Sequence, residues 1–378
     1  MLPTAIRVSA LIAPQFKPAG EILTVEPFGS GNVNDTFLVH LDIPASDGNH
    51  FILQRLNTQV FPDPAAVMGN MRRCTEAMAI ALQQNPLDRR WEIPHILPHE
   101  SGADFYTDEQ GQVWRAIAFI AGTTIDHITT PHQAQELGYG LGQFQSLIQT
   151  IPPQDLADTL PGFHITPRYL AQYQAAIATA TIPNSPEVRH CQGWISDRAS
   201  TVGILETAKA KGELTLRPIH GDPKVNNLLL DPETGQAVTM VDLDTVKPGL
   251  IHYDVGDCLR SGCNPLGEET ADWEKVVFDC DRAEIILKAY LDLARPFLTP
   301  QDGAYLYTGI RLITLELGLR FFTDYLAGNV YFHVNDPEHN LRRALVQFQL
   351  CASIEAQASR LESLIQSLFN PSQFKVIS

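Results

Sequence analysis

Positive charge is scarce in this chain: 27 Lys and Arg stand against 43 Asp and Glu, a formal net charge of −16 at pH 7. So acidic a surface repels phosphate backbones and anionic lipid, which argues against nucleic acid or an anionic membrane as the main partner. A small anion is not excluded, because one lysine and one divalent cation make a local pocket positive. Long apolar runs are also missing. No stretch of eighteen apolar residues occurs, so no membrane-spanning helix is expected. The apolar patch Val8 to Ala13 is broken by Pro14 and followed by no cleavage pattern, so a cytoplasmic location is expected. Cys74, Cys191, Cys258, Cys263, Cys280 and Cys351 lack C-x-x-C spacing, which argues against a zinc site or a disulfide frame. No internal repeat or low-complexity tract is evident.

What is present suffices for a sizeable core. The chain has 378 residues, 44% hydrophobic and 19% charged, long enough for two domains or two large lobes. Its most informative stretch is His220–Gly221–Asp222–Pro223–Lys224–Val225–Asn226–Asn227, followed by Val241–Asp242–Leu243–Asp244. An Asp precedes an Asn by five residues, and a second Asp follows that Asn by fifteen on an apolar run. This is the spacing of a phosphoryl-transfer loop and its metal-binding Asp, where the protein contributes position and charge. In that reading Asp222 accepts the proton of an attacking hydroxyl, late and by alignment, since a carboxylate is a weak base. Asn227 and Asp242 hold Mg²⁺ against nucleotide phosphates, because a small hard cation prefers oxygen. Lys224 reaches a phosphate oxygen as a point charge. Leu228–Leu230 and Ala237–Val241 read as strands joined by the turn Asp231 to Gly235, which brings Asn227 and Asp242 to one end of a ribbon. Asp244 is open between a second Mg²⁺, a substrate contact and a turn cap.

The first third reads mainly as strands. Ile22–Val25, Phe37–Val39 and Phe51–Leu53 flank Gly29–Ser30–Gly31–Asn32, whose glycines allow backbone N–H groups to approach phosphate oxygens. The same four residues also suit an ordinary hairpin. A helix is expected from Asp63 or Pro64 to Leu82, with Glu76 opposite its apolar stripe, either pairing a phosphate-binding cation or simply solvated. Gln112–Ile120 reads as a strand ending at a small-residue hinge, Ala121–Gly122–Thr123. Thereafter helices dominate: one capped by Thr130–Pro131, one carrying Leu312, Leu315, Leu319, Phe322 and Leu326, and a last one from about Asn340 to Leu368. Arg320 lies off the apolar stripe of its helix, placed either toward a cleft or on the surface. Tyr331 suits either a pocket or a half-buried core position.

These residues resemble the aminoglycoside phosphotransferase and choline kinase superfamily of small-molecule kinases, and within it the N-acetylhexosamine 1-kinases. The likeness rests on Gly29–Thr36, Ile52–Thr58, Asp222–Leu230, Val241–Val246, Tyr253–Asp257 and Gly318–Leu326, and spans about residues 20 to 350. It implies an α+β, protein-kinase-like two-lobed fold: a small β-rich nucleotide-binding lobe over residues 1–121 and a large, mostly helical catalytic and substrate-binding lobe over 122–378. It also implies ATP and Mg²⁺ as cofactors, a sugar phosphorylated at its anomeric hydroxyl, and a monomer. By motif, Asp222 is the base, Lys224 and Thr245 contact sugar or phosphate, and Asn227 and Asp242 bind metal. Arg320 and Tyr331 line the sugar pocket, and Asp254 or Asp257 supports the loop from behind. The chain departs from the kinase pattern at Leu53–Gln54–Arg55, where a third-strand Lys is common. Arg55 is the substitute phosphate contact if it, and not Gln54, points inward. A kinase of another small alcohol (an amino alcohol, an aminoglycoside or homoserine) and a catalytically silent nucleotide-binding protein are the alternatives.

Overall fold

The computed structural model describes residues 4–16, 20–29, 33–44, 48–179 and 184–370. A short helix, α1 (Thr4–Ile12), precedes strands β1 (Ile22–Pro27), β2 (Asp35–Leu41) and β3 (His50–Leu56). On β2 and β3, Phe37, Val39, Phe51 and Leu53 alternate with more exposed neighbours. Their shared face packs on Ile12, Ala13 and Phe16, which is how a period of two becomes a buried sheet face. Helix α2 (Pro64–Gln84) starts where Asp63 caps the Ala66 N–H, with Pro64 at the first helical position. Strands β4 (Ile96–Leu97), β5 (Tyr106–Thr107) and β6 (Val113–Ala118) complete one antiparallel sheet, ordered β1-β2-β3-β6-β4 with β5 also on β6. Helix α1 lies in the first third, which the sequence reads mainly as strands, and was not among the expected elements.

After Thr123 the chain is mostly helical: α3 (Pro131–Ile148), α4 (Thr166–Thr179), α5 (Pro186–Arg198) and α6 (Ile204–Ala210). Two small ribbons interrupt it. Strand β7 (Arg217–Ile219) pairs with β10 (Lys247–Gly249), and between them β8 (Leu228–Leu230) pairs with β9 (Ala237–Met240). Helices α7 (Ile251–Gly262), α8 (Cys280–Ala294), α9 (Pro300–Leu326), α10 (His339–Ala356) and α11 (Ala358–Leu368) follow. The predicted single helix from Asn340 to Leu368 is thus two. Gln357 breaks it, because its amide donates to Phe278 O and Ser353 O and its Oε1 accepts from the Cys280 thiol.

Packing of the helical part relies on close backbone approach as well as on bulk. A Cβ built on Gly138 of α3 would stand 2.1 Å from Ile286 O of α8, and one on Gly142 2.9 Å from Tyr290 O. Phe144 is fully buried in the cluster that holds that contact, and Phe322 of α9 and Phe348 of α10 are fully buried in a second one, each burial stabilising by about 1.5–3 kcal/mol. All six cysteines are free and buried, in α2, α5, α7, α8, α10 and the residue after α7. Among the described residues no helix is long and apolar enough to cross a membrane.

Candidate active site

The ribbon β8–β9 does what the sequence pattern asked of it. Leu228 pairs with Met240, and Val241 N donates to Asn227 O at 2.9 Å, so the chain ends carrying Asn227 and Asp242 lie side by side. The segment after β6 touches the same ribbon through paired Thr123 and Leu230 backbone hydrogen bonds. Asp242 itself is in the left-handed region at φ 66°, a conformation uncommon for a side chain other than Asn or Asp and frequent at functional turns.

The loop ahead of the ribbon is held from behind by one carboxylate. Asp254, fully buried on α7, accepts the His220 N–H and the Gly221 N–H, both at 2.8 Å, and the Gln145 amide at 2.8 Å. Of the two expected supports, Asp254 therefore does this; Asp257 pairs with Arg260 instead. Gly221 has φ +86°, and a Cβ there would lie 2.5 Å from Thr245 O, so the loop admits no side chain at that point. The His220 Nε2–H donates to Val241 O at 3.0 Å, while Nδ1 accepts the Asp222 N–H at 3.3 Å. Burial pushes the His220 pKa down, which keeps this ring neutral and bridging loop to ribbon. Thr245 Oγ1 donates to His220 O at 2.8 Å, so its hydroxyl proton is already engaged with the loop.

Asp222 sits at the rim with 27% of its side chain exposed. Lys224 Nζ donates to its Oδ2 at 2.7 Å, and the Asn227 amide donates to its backbone oxygen at 2.7 Å and to Oδ2 at 3.1 Å. Burial would raise its pKa, but the Lys224 charge and hydrogen bond outweigh that and hold it below the usual carboxylate value. Lys224 is held cationic in turn: burial opposes its charge, and Asp222, Asp242 and Asp257 overcome it. With its Nδ2 committed to Asp222, Asn227 keeps its amide oxygen for another partner. Asp242 is pushed up to about 7, by burial first and then by the charges of Asp244 and Asp222. An exposed acid crowded by other acids, next to an amide oxygen, fits a hard divalent cation that takes its remaining ligands from phosphate and water. Among the described residues no trio of His, Cys, Asp or Glu could bind a metal without such help.

Arg320 faces a setting of a different kind. Its guanidinium lies 5.2 Å from the rings of Phe163 and Tyr169, 5.4 Å from Phe332 and 5.8 Å from Tyr331, and among the described residues no carboxylate forms an ion pair with it. The loop carrying Tyr331 and Phe332 is pinned by Asp324, which accepts the N–H groups of Val330, Tyr331 and Phe332 at 2.8–3.0 Å and the Asn340 amide at 2.9 Å. Sequence reasoning passed over Asp324, although an Asp one turn beyond Arg320 and just before a Gly–Asn turn is a signal for such a pin. A cavity of about 480 Å³ adjoins Phe163 and is lined by Leu156, Ile219, Lys247, Gly249 and Tyr253; Asp222, Asn227 and Asp242 do not line it.

Two expected phosphate-side residues are not brought to this centre. Arg55 is opposite Trp114 across the sheet, on the face that packs on α1, and pairs there with Asp35, its Nε donating at 2.8 Å. Alternation therefore points Gln54 inward and Arg55 away. Glu76 is solvated, with 60% of its side chain exposed, and meets only Arg72 one turn back at 3.4 Å. Gly29, the first residue of the expected phosphate-covering turn, has φ +74°, and Ser30, Gly31 and Asn32 lie outside the described residues.

The fold has counterparts of known structure. An aminoglycoside phosphotransferase from Alicyclobacillus acidocaldarius subsp. acidocaldarius DSM 446 aligns over 97% of this chain and 95% of its own, at 16% identity and a TM-score of 0.57. A choline kinase from Cryptosporidium parvum Iowa II aligns over 97% and 100%, at 14% identity and a TM-score of 0.58. The spectinomycin phosphotransferase APH(9)-Ia, solved with ADP and spectinomycin, aligns over 91% and 98%, at 12% identity and a TM-score of 0.52. Such distant likeness establishes the fold: a protein-kinase-like α+β chain with its sheet first and its helices after. The family described as "Phosphotransferase enzyme family" matches residues 24–276, well over half the sequence. The chain therefore belongs to the phosphotransferase enzyme family.

Proposed function

We propose that this phosphotransferase uses ATP and Mg²⁺ to phosphorylate the anomeric hydroxyl of an N-acetylhexosamine, giving the sugar 1-phosphate. Residues 1–121 form the nucleotide-binding lobe, with Gly29, Ser30, Gly31 and Asn32 over the phosphates, and residues 122–378 the catalytic and substrate-binding lobe. Asp222 aligns the acceptor hydroxyl and takes its proton; an anomeric hydroxyl is more acidic than an ordinary alcohol, so a carboxylate held below its usual pKa suffices. Lys224 keeps that carboxylate in place and meets the transferred phosphoryl group, and the Thr245 side chain borders the acceptor. Asn227 and Asp242 would hold Mg²⁺, which neutralises charge on the phosphates when bound.

Arg320 is the observation that carries the acceptor class. A guanidinium ringed by Phe163, Tyr169, Tyr331 and Phe332, with no ion pair among the described residues, repels an ammonium, such as that of choline. It donates instead to hydroxyl or acetamido oxygens, while aromatic faces such as Tyr331 cover the ring. The test is ADP release by the purified protein with Mg·ATP and a panel of N-acetylhexosamines, hexoses, choline and an aminoglycoside. Turnover confined to sugars, with a phosphate at the anomeric carbon by ³¹P NMR, is the expected result. Release with no hexose or hexosamine overturns the sugar assignment.

A further inference from the structure

One fully buried arginine stands outside every role given so far. Arg115 of β6 is 1% exposed and is the register partner of Gln54 on β3. Its Nε donates to Gln54 Oε1 at 2.9 Å, and the Gln54 amide donates to Thr36 Oγ1 at 3.0 Å. Its Nη1 faces the sulfurs of Met68 and Met71 on α2 and stands 2.5 Å from Asp244 Oδ1, off line for a hydrogen bond, so charge holds the contact. The other oxygen of Asp244 accepts the Asn34 amide at 2.7 Å, and Asn34 Oδ1 accepts the Asn57 N–H at 3.0 Å. Thr159 donates to the Asp244 backbone oxygen at 3.1 Å. Sheet, α2 and the turn bearing Asp242 thus meet at one ion pair, both members of which are 1% exposed.

Burying such a pair is expensive, and apolar side chains fill equal volume at less cost. Its presence calls for a task beyond packing, and the neighbouring groups leave one open. The third-strand position facing the site is the neutral Gln54, Arg55 lies on the other face, and Lys224 is engaged by Asp222. Resting on the kinase reading, we propose that Arg115 is a positioning residue for the nucleotide side of the site: from the sheet it clamps Asp244 and so fixes the turn that presents Asp242. Asp244 is then the clamp's acid and not a ligand of a second metal. The usual lobe-to-centre cation has moved one strand over, from β3 to β6.

The experiment compares wild type with the neutral pair Arg115→Met/Asp244→Asn, which leaves no unpaired buried charge, and with Arg115→Lys. Thermal melting reports folding, titration calorimetry with Mg·ATP and Mg·GTP reports nucleotide affinity, and steady-state kinetics separate the nucleotide KM from the acceptor KM. The neutral pair is expected to melt as a folded protein, to bind Mg·ATP on the order of tenfold more weakly, and to keep its acceptor KM within about twofold. Arg115→Lys, retaining charge but not both contacts, is expected to fall between. Nucleotide affinity of the neutral pair equal to wild type, or an acceptor KM that rises in parallel, overturns the inference. If the neutral pair does not fold, Arg115→Lys decides, and wild-type affinity there overturns it as well. Wild type that binds neither nucleotide overturns the kinase reading too, which separates the two failures.

Discussion

Asp222 lies within reach of three groups that set its behaviour: the Lys224 ammonium, the Asn227 amide and, through the backbone, the His220 ring. Asp222→Asn keeps the shape and most of these contacts but removes the proton acceptor. Turnover is expected to fall about 100- to 10,000-fold, with Mg·ATP affinity changed by no more than a few-fold; retained turnover in steady-state assays would remove this base. At this scale the sequence was legible wherever contacts are local. Asp222, Asn227 and Asp242 are close in sequence and joined by one ribbon, so spacing alone put them together. Arg115 and Gln54 were not legible, because the facing of a strand residue depends on a partner strand some sixty positions away in the chain. Glu76 stayed open between two roles for a similar reason: helical periodicity shows which side is apolar, not which polar residue meets a particular neighbour.

Elements are placed by contacts of two sorts, and each makes its own prediction. The α3–α8 contact depends on an absent side chain. Gly138→Ala puts a methyl group 2.1 Å from Ile286 O, so the helices must separate, at a cost of about 1–3 kcal/mol. Urea unfolding should show a lower midpoint with an unchanged slope; an unaltered midpoint would mean the helices slide apart freely. The loop after α9 depends on a present one. Asp324→Ala strands three backbone N–H groups, and the loop bearing Tyr331 should lose its fixed form. An acceptor KM raised on the order of tenfold with an unchanged nucleotide KM is expected, and equal rises in both would assign Asp324 to general stability. Strand and helix types were read correctly over most of the chain, since apolar residues follow the strand period in β3 and the helix period in α3. The break at Gln357 was not, because it is made by side-chain bonds to α8 and its approach, far off in sequence.

For the molecule as a whole, acid is a specific threat. His252 is buried on α7, its Nε2–H donating to Asp302 O at 2.9 Å and its Nδ1 without a partner. Burial lowers its pKa from the ordinary 6.5, so the unfolded chain takes up this proton before the folded one does. The stability that His252 contributes is therefore complete above pH about 6.5 and is lost as pH falls toward the folded-state value. Carboxylates titrate over part of the same range, so the comparison is with His252→Gln. Wild type should lose more unfolding free energy than the variant between pH 7.5 and 5.5; parallel losses would show that the ring is protonated without penalty.

Six thiols shut away in five helices and at the end of one of them also make the protein its own clock. Burial raises Cys74, Cys191 and Cys351 to about 12, so a thiol-directed reagent finds no reactive sulfur until a helix lifts from its neighbours. Alkylation followed by peptide mapping would then time the exposure of each segment, α2 against α5 against α10, and show which part of the catalyst comes apart first, without introducing a probe.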